Sequence, residues 1–171
     1  MTVTDVNVVK SAIFERPDDA NKGTLGSLLC VCGSYGMAGA AVMSAKGALR
    51  TGIGLAKCAL PRSIYPIVAQ TILESVYYPL SENADGRISK VNVPFLVSES
   101  CKSSATLVGC GLGVCDDTLK IVFSLIENST TPLVLDADAL NCVAKQPEIL
   151  LRKKAPIIVT PHPGEMSRLT G

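Results

Sequence analysis

The amino-acid sequence predicts an α/β fold in which helices cover a mostly parallel β-sheet. Short aliphatic runs of strand length alternate along the chain with segments whose apolar residues recur at helical spacing. The composition agrees, because the chain is 47% hydrophobic, only 4% aromatic and free of tryptophan, which is typical of helices packed closely on a Val- and Ile-rich sheet. At 171 residues the chain suits one domain, predicted to span residues 1–171.

In the first half of the chain, aliphatic runs mark strands and glycine or proline marks their ends. The predicted strands are residues 27–32, 55–60 and 74–80. A helix beginning near Ala40 is predicted from small residues on one face and ends at two glycines, and a short helix is predicted over residues 63–70. The spacing of Val3, Val6 and Val9 favours a short N-terminal helix, and the polar residues 81–90 are predicted to form a loop.

The second half repeats the alternation with shorter strands. The predicted strands are residues 105–108, 133–135 and 157–159. Helices are predicted over residues 117–126, whose apolar side chains share one face, over about 139–145, and from Gly164 onward. Prolines at 161 and 163 stop the last strand abruptly, so the segment between strand and helix is a turn.

Four polar or glycine-rich segments follow predicted strands. They are residues 33–39, 109–113, 136–141 and 160–165. Right-handed crossovers place the carboxyl ends of parallel strands along one rim of the sheet, where open α/β folds bind their ligands. We therefore expect the four segments to converge around a phosphorylated ligand.

Taken singly, each segment keeps a structural alternative. The pattern Gly33-Ser34-x-Gly36-x-x-Gly39 before a helix is typical of a phosphate loop, but no Gly-Lys-Ser/Thr follows and no acidic residue ends the next strand. The glycines at 109–113 could equally serve close strand-to-helix packing.

The charged and polar side chains of the rim also allow two interpretations. Asp138 is expected to cap the following helix, whereas Asp136 is expected to hold a substrate hydroxyl or a hydrated metal ion. His162, the only histidine, could donate to a phosphate or a carboxamide, or could be an incidental turn residue. Glu165 suits the first turn of its helix through the helix dipole alone.

Composition excludes several classes of function. A net charge of +1 without a basic block argues against a nucleic-acid partner, and no apolar run reaches the roughly 18 residues of a membrane span. The first ten residues lack the apolar core of a signal peptide. The seven cysteines show no zinc-finger spacing, so no metal site is predicted, and we expect reduced cysteines in a cytoplasmic protein.

Several motifs in one order resemble the ADP-dependent NAD(P)H-hydrate dehydratases, which belong to the ribokinase-like superfamily. The motifs are Lys22-Gly23 with Gly26, Gly33-Ser34, Gly39-Ala40-Ala41, Arg50-x-Gly52-x-Gly54-Leu55, Gly109-x-Gly111-Leu112-Gly113, Val134 to Asn141, and Thr160-Pro161-His162-Pro163-Gly164-Glu165. The resemblance runs from about residue 22 to the last residue. It implies a three-layer α/β/α ribokinase-like fold with a mostly parallel sheet.

The resemblance also implies an activity and a site. The activity is ADP- or ATP-dependent dehydration of the S-epimer of NADH or NADPH hydrate with Mg²⁺, in a cytoplasmic homo-oligomer, commonly a tetramer. Residues near the hydrated dinucleotide would be Ala41, Gly111 and His162, and further candidates are Gly39, Asp136, Asn141 and Gly164. A small-molecule kinase of the same superfamily, of the hydroxyethylthiazole or hydroxymethylpyrimidine type, is the alternative. A truncated binding or subunit-interaction module is a non-enzymatic possibility.

The sequence departs from the family pattern in two places. Cys110 stands where the family usually has proline between the glycines. The family also continues beyond the His162 turn to a Gly-Thr-Gly-Asp segment with the catalytic aspartate, and no Gly-x-Gly-Asp occurs in this chain. We therefore expect a chain that is incomplete at its C-terminus, holds the hydrated-dinucleotide half of the site, and lacks turnover on its own. No catalytic residue is assigned.

Overall fold

A computed structural model describes Asp18 and residues 23–171, so the predicted N-terminal helix lies outside the described residues. Six strands form one sheet in the order β3-β2-β1-β4-β5-β6, and all neighbouring strands are parallel. The strands are β1 (Ser27–Val31), β2 (Leu55–Pro61), β3 (Val76–Leu80), β4 (Ala105–Val108), β5 (Leu133–Leu135) and β6 (Ile157–Val159). The predicted parallel sheet is confirmed.

Helices connect the strands. They are α1 (Ala38–Arg50), α2 (Tyr65–Thr71), α3 (Val93–Cys101), α4 (Asp116–Asn128), α5 (Asp138–Val143) and α6 (Pro163–Thr170). Short 3-10 turns cover Arg62–Ile64, Lys90–Asn92 and Pro147–Arg152. Helix α1 contacts β1, β2 and α2, whereas α4 contacts α3 and α5. The helices form two layers with the sheet between them, so the predicted three-layer α/β/α fold is confirmed.

Alternate residues of the strands supply two separate cores. Leu29 and Val31 of β1 belong to the core beneath α3, α4 and α5, and both are fully buried. Cys30 belongs, with Cys58 of β2, to the smaller core beneath α1 and α2. This division follows from the two-residue repeat of a strand, which sends successive side chains to opposite faces of the sheet.

Burial on the α1 face declines across the sheet toward β6. Cys30 is buried, whereas its register partner Leu107 on β4 and the next partner, Val134 on β5, are only half-buried. Ile158, the partner on β6, is 59% exposed. An apolar strip of sheet therefore lies open beside α1.

One helix was not predicted from the sequence. Helix α3 carries apolar side chains at four of its first five positions, so no clear polar stripe marks it, and Pro94 lies within its first turn. Proline is tolerated in that turn because the amide there has no partner within the helix.

Candidate functional site

The strand order reverses direction between β1 and β4. After β1 the chain proceeds outward to β2 and β3, then returns to pair β4 with the other edge of β1. Open α/β sheets bind ligands in the crevice at such a switch point, outside the carboxyl ends of the strands. The two glycine-rich segments predicted from the sequence, 33–39 and 109–113, follow these two strands.

Hydrogen bonds tie the two glycine turns to each other. The Gly33 N–H donates to the carbonyl oxygen of Cys110 at 2.8 Å, and the Ser34 hydroxyl donates to the carbonyl oxygen of Gly111 at 2.8 Å. Ser34 is buried, so its bond satisfies a polar group that water does not reach. The turns therefore form one unit, 77 residues apart in sequence.

Two of the glycines have no substitute at their positions. Gly109 has φ +130°, and a Cβ there would overlap the carbonyl oxygen of Asp136. Gly111 has φ +68°, and a Cβ there would lie 2.7 Å from the Cβ of Ala40. Only glycine allows the β4 turn to approach both α1 and the end of β5 this closely.

The end of β5 directs two carboxylates to different partners. Asp136 accepts hydrogen bonds from the Thr160 hydroxyl at 2.8 Å and from the Cys110 thiol at 3.3 Å. Ala137 between the two acids has φ +48°, the one positive φ of a non-glycine residue among the residues that the structure describes. The unusual backbone turns Asp138 away, so that its carboxylate accepts from the Gly113 N–H at 2.8 Å.

The prediction that Asp138 caps its helix is wrong. The N-cap residue of α5 is Ala137, and Asp138 is the first helical residue. Its side chain instead fastens the β4 turn to α5 through Gly113, a contact that depends on a loop 25 residues earlier.

A groove of about 530 Å³ opens beside the rim. One wall is α1, through residues that include Met43, Ser44 and Gly47, and the floor is the open apolar strip of the sheet. Asp136, Thr160 and Cys110 line its polar end. An elongated ligand with an apolar part and a hydrogen-bonding head fits this arrangement.

His162 caps α6. Its Nδ1 accepts from the Gly164 N–H at 3.1 Å, and its own N–H donates to Glu165 Oε2 at 2.9 Å. The imidazole Nε2 lies 3.2 Å from Glu165 Oε1, and the side chain is 62% exposed. The turn therefore has a local structural role, in which Glu165 is buried and His162 faces solvent.

The predicted site residues fall into two groups along the rim. Ala41 is buried against Gly33, Gly111 lies against α1, and Gly39 is exposed in the first turn of that helix. Asp136 lines the groove.

Asn141, His162 and Gly164 form the second group at the outer edge. Asn141 accepts from Arg168 Nε at 2.9 Å, which links α5 to α6. Its amide nitrogen lies 3.4 Å from Asp138 Oδ1 and can donate to it. The four segments lie along one rim and hydrogen bonds link each to its neighbour, but Asn141, His162 and Gly164 do not line the groove. Ligand binding by the predicted site residues stays a prediction.

Sequence reasoning did not single out three polar residues of the groove. Thr160 lies inside a predicted segment without a role of its own, Cys110 stands in the sequence as a replacement for proline, and Ser44 belongs to no motif. A signal for Ser44 existed, because it lies four residues after Ala40 and therefore on the same face of α1.

Two absences concern the described part of the chain. It contains no group of three or more His, Cys, Asp or Glu side chains placed to hold a metal ion. None of its helices has the length and apolar character needed to cross a lipid bilayer.

Comparison with known proteins finds relatives over nearly the whole chain. The family model for NAD(P)H-hydrate dehydratases matches residues 28–171. A bifunctional NAD(P)H-hydrate repair enzyme Nnr of Thermofilum pendens is 38% identical over 156 residues, which are 91% of this chain and 30% of that protein. The ADP-dependent (S)-NAD(P)H-hydrate dehydratase of Bacillus subtilis is 29% identical over 165 residues, 95% of this chain and 54% of that protein.

Solved structures also resemble this chain over nearly its whole length. The ADP/ATP-dependent NAD(P)H-hydrate dehydratase of Bacillus subtilis, co-crystallized with ATP/Mg²⁺, has a TM-score of 0.74 and 28% identity, covering 96% of this chain and 54% of that one. A hypothetical protein of Streptococcus mutans has a TM-score of 0.83 and 25% identity, covering 99% of this chain and 58% of that one. The chain thus spans between about a third and about half of the length of these curated relatives.

Proposed function

Because the chain belongs to the NAD(P)H-hydrate dehydratase family, we propose that it serves the dehydration of the S-epimer of NADH or NADPH hydrate, which restores the nicotinamide cofactor. The observation that carries the proposal is the alignment of the four segments along the carboxyl ends of the parallel strands, beside a groove with a polar end. A hydrated dinucleotide has both the length and the mixed polarity that such a groove accommodates.

The chain's own residues would bind and orient the dinucleotide. Asp136 is already an acceptor for two donors and can take a hydroxyl of the ligand in place of one of them. The glycines at 33 and 111 let the two turns pack closely on α1, which fixes the end of the groove where Cys110 lies. We propose Ala41, Gly111 and His162 as contacts, with Gly39, Asp136, Asn141 and Gly164 as neighbours.

The reaction also needs a nucleotide co-substrate. ADP or ATP with Mg²⁺ is proposed as co-substrate, since relatives are named ADP-dependent and one neighbour was co-crystallized with ATP/Mg²⁺. The sequence has no Gly-x-Gly-Asp, the segment expected to carry the catalytic aspartate beside the nucleotide. The chain is therefore proposed to supply the dinucleotide portion of the site, and no catalytic step is assigned to its residues.

Location and assembly complete the proposal. We propose the cytoplasm, supported by seven cysteines that are all free thiols, as expected in a reducing compartment. We also propose a homo-oligomer, on the resemblance to a family in which tetramers are common.

Equilibrium binding tests the proposal without requiring turnover. Titration calorimetry should show that the chain binds (S)-NADH hydrate more tightly than NADH. Asp136→Asn should weaken binding roughly 10- to 150-fold, because a hydrogen bond to a charged group contributes about 1.5–3 kcal/mol. Glu148→Gln, an exposed change in the 3-10 turn before β6, is the matched control and should bind like the wild type.

Two results would overturn the proposal. One is equal affinity of the wild type and Asp136→Asn for the hydrate. The other is phosphorylation of an alcohol from a panel of acceptors, with ATP and magnesium, without recovery of NADH absorbance from the hydrate, which would favour the small-molecule kinase.

A further inference from the structure

Cys32 and Cys110 face each other across the switch point. Cys32 follows β1 and Cys110 follows β4, and these strands are neighbours in the sheet. The Gly109 N–H donates to the carbonyl oxygen of Val31 at 3.3 Å, and the Gly33 N–H donates to that of Cys110 at 2.8 Å. Cys32 therefore lies opposite the Gly109–Cys110 pair. Neighbouring strands are about 4.8 Å apart, within the range of Cα separations of about 4.4–6.8 Å that disulfides span.

The two side chains pack in the same cluster beneath α1 and α2. Cys32 is fully buried, whereas Cys110 is half-buried and lines the groove. Cys110 lines the groove together with Ser44 of α1, and its sulfur lies 3.3 Å from Asp136 Oδ2 at the end of β5. A small molecule in the groove can therefore reach Cys110, whereas Cys32 is buried and does not line the groove.

The surroundings give the two thiols different acidities. Hydrogen bonding from Cys32 lowers the pKa of the Cys110 thiol, and hydrogen bonding from Ser44 lowers it further. Burial and Asp136 act in the opposite direction, but the net shift of the Cys110 pKa is downward. The same contact with Cys110, together with burial, raises the pKa of Cys32 well above its ordinary value. Thiolates are the nucleophilic form of cysteine, so Cys110 is the reactive member of the pair.

We propose that Cys110 and Cys32 form an oxidant-sensitive dithiol that hydrogen peroxide converts to a disulfide. The Cys110 thiolate attacks one oxygen of the peroxide, the O–O bond breaks, and the departing hydroxide takes a proton to become water. Cys32 then loses its proton and attacks the sulfur of the sulfenic acid, the S–O bond breaks, and a second water leaves. Two thiols and one peroxide give one disulfide and two waters. This inference does not rest on the proposed dehydration, because its product is read from the thiols themselves.

Mass spectrometry of the intact chain is the direct test. After treatment with stoichiometric peroxide and alkylation, the wild type should have lost two hydrogen atoms and should carry five alkyl groups, against seven for the untreated protein, which has seven cysteines. Trypsin should release residues 23–46 joined to residues 103–120, and fragment ions should assign the bond to Cys32 and Cys110. Dithiothreitol should restore the separate peptides.

Serine variants separate this pair from other cysteines on the same peptides. Residues 23–46 also contain Cys30 and residues 103–120 also contain Cys115. Cys32→Ser and Cys110→Ser should abolish the joined peptide, whereas Cys30→Ser and Cys115→Ser should leave it. A bond between any other two cysteines in the oxidised wild type would overturn the proposal. The proposal would also be overturned if peroxide oxidised Cys110 to a sulfinic acid while Cys32 remained a free thiol that is alkylated after unfolding. Both results are read from the wild type, so they do not depend on how the variants fold.

Discussion

Replacement of His162 separates the two roles that this residue can have. His162→Ala removes the acceptor for the Gly164 N–H at the start of α6. Loss of an N-cap side chain lowers stability by about 0.5–2 kcal/mol. Glu165, which is 5% exposed, also loses its neighbour 3.2 Å away. We expect the free energy of unfolding to fall by about 1–2 kcal/mol, with a melting temperature lower by about 2–4 °C for each kcal/mol in a chain of this size.

His162→Asn is the matched control, because asparagine is among the best N-cap residues and lacks the imidazole. Its free energy of unfolding should stay within about 0.5 kcal/mol of the wild type. Urea denaturation followed by circular dichroism measures both variants. If the imidazole also binds the dinucleotide, both variants should lose affinity for (S)-NADH hydrate by the same factor, measured by calorimetry where all three proteins are folded.

The stability measurement and the binding measurement can each contradict one of the two roles of His162. A His162→Ala variant as stable as the wild type would show that the cap contributes nothing. A His162→Asn variant that binds the hydrate like the wild type would remove the imidazole from the ligand site and leave the residue a purely structural role.

Three further changes test the rim and the core. Ala137→Gly should raise the free energy of unfolding by about 1 kcal/mol, because relief of the positive φ outweighs the added backbone freedom of glycine in the unfolded chain. A lower melting temperature would show that the backbone at Ala137 is not strained. Gly109→Ala should lower stability by about 3 kcal/mol or more, because its Cβ would overlap the Asp136 carbonyl, and wild-type resistance to proteolysis would refute this. The hydrogen bond from Lys102 holds the pKa of Glu99 below its ordinary 4.5, so its contribution is present at neutral pH and lost as the pH falls through the lowered value. Glu99→Gln should flatten the unfolding free energy over that acidic range, and an unchanged pH profile would exclude the contribution.

The strands were predictable because their signals are local. Strands β4, β5 and β6 have the predicted bounds, since each is a short aliphatic run with polar, glycine or proline residues at its borders. The alternation with helices then predicted parallel pairing, and with it the single rim. Helix α3 was not predicted because its apolar residues do not fall on one stripe and because Pro94 in the first turn suggests a break.

The details of the site depend on contacts between distant parts of the chain. The role of Asp138 could not be read locally, because Ala137 turns its carboxylate toward Gly113. The groove was likewise not predictable, since it arises where the helices leave the Leu107 and Val134 side of the sheet open. Sequence patterns identify which segments meet, and packing decides which side chains face a ligand.

The central place of β1 has a consequence for the order of folding. This strand is the first in the chain that the structure describes, yet its second partner, β4, begins 74 residues after the end of β1. During synthesis β1 can join β2 early, but its other edge stays without its partner until residue 108 has left the ribosome. Closing so long a loop is slow, so the crevice between the two strands forms late, after the βαβ unit of β1, α1 and β2 is in place. A nascent chain stalled before β4 would therefore expose the strand around which the whole sheet is later assembled.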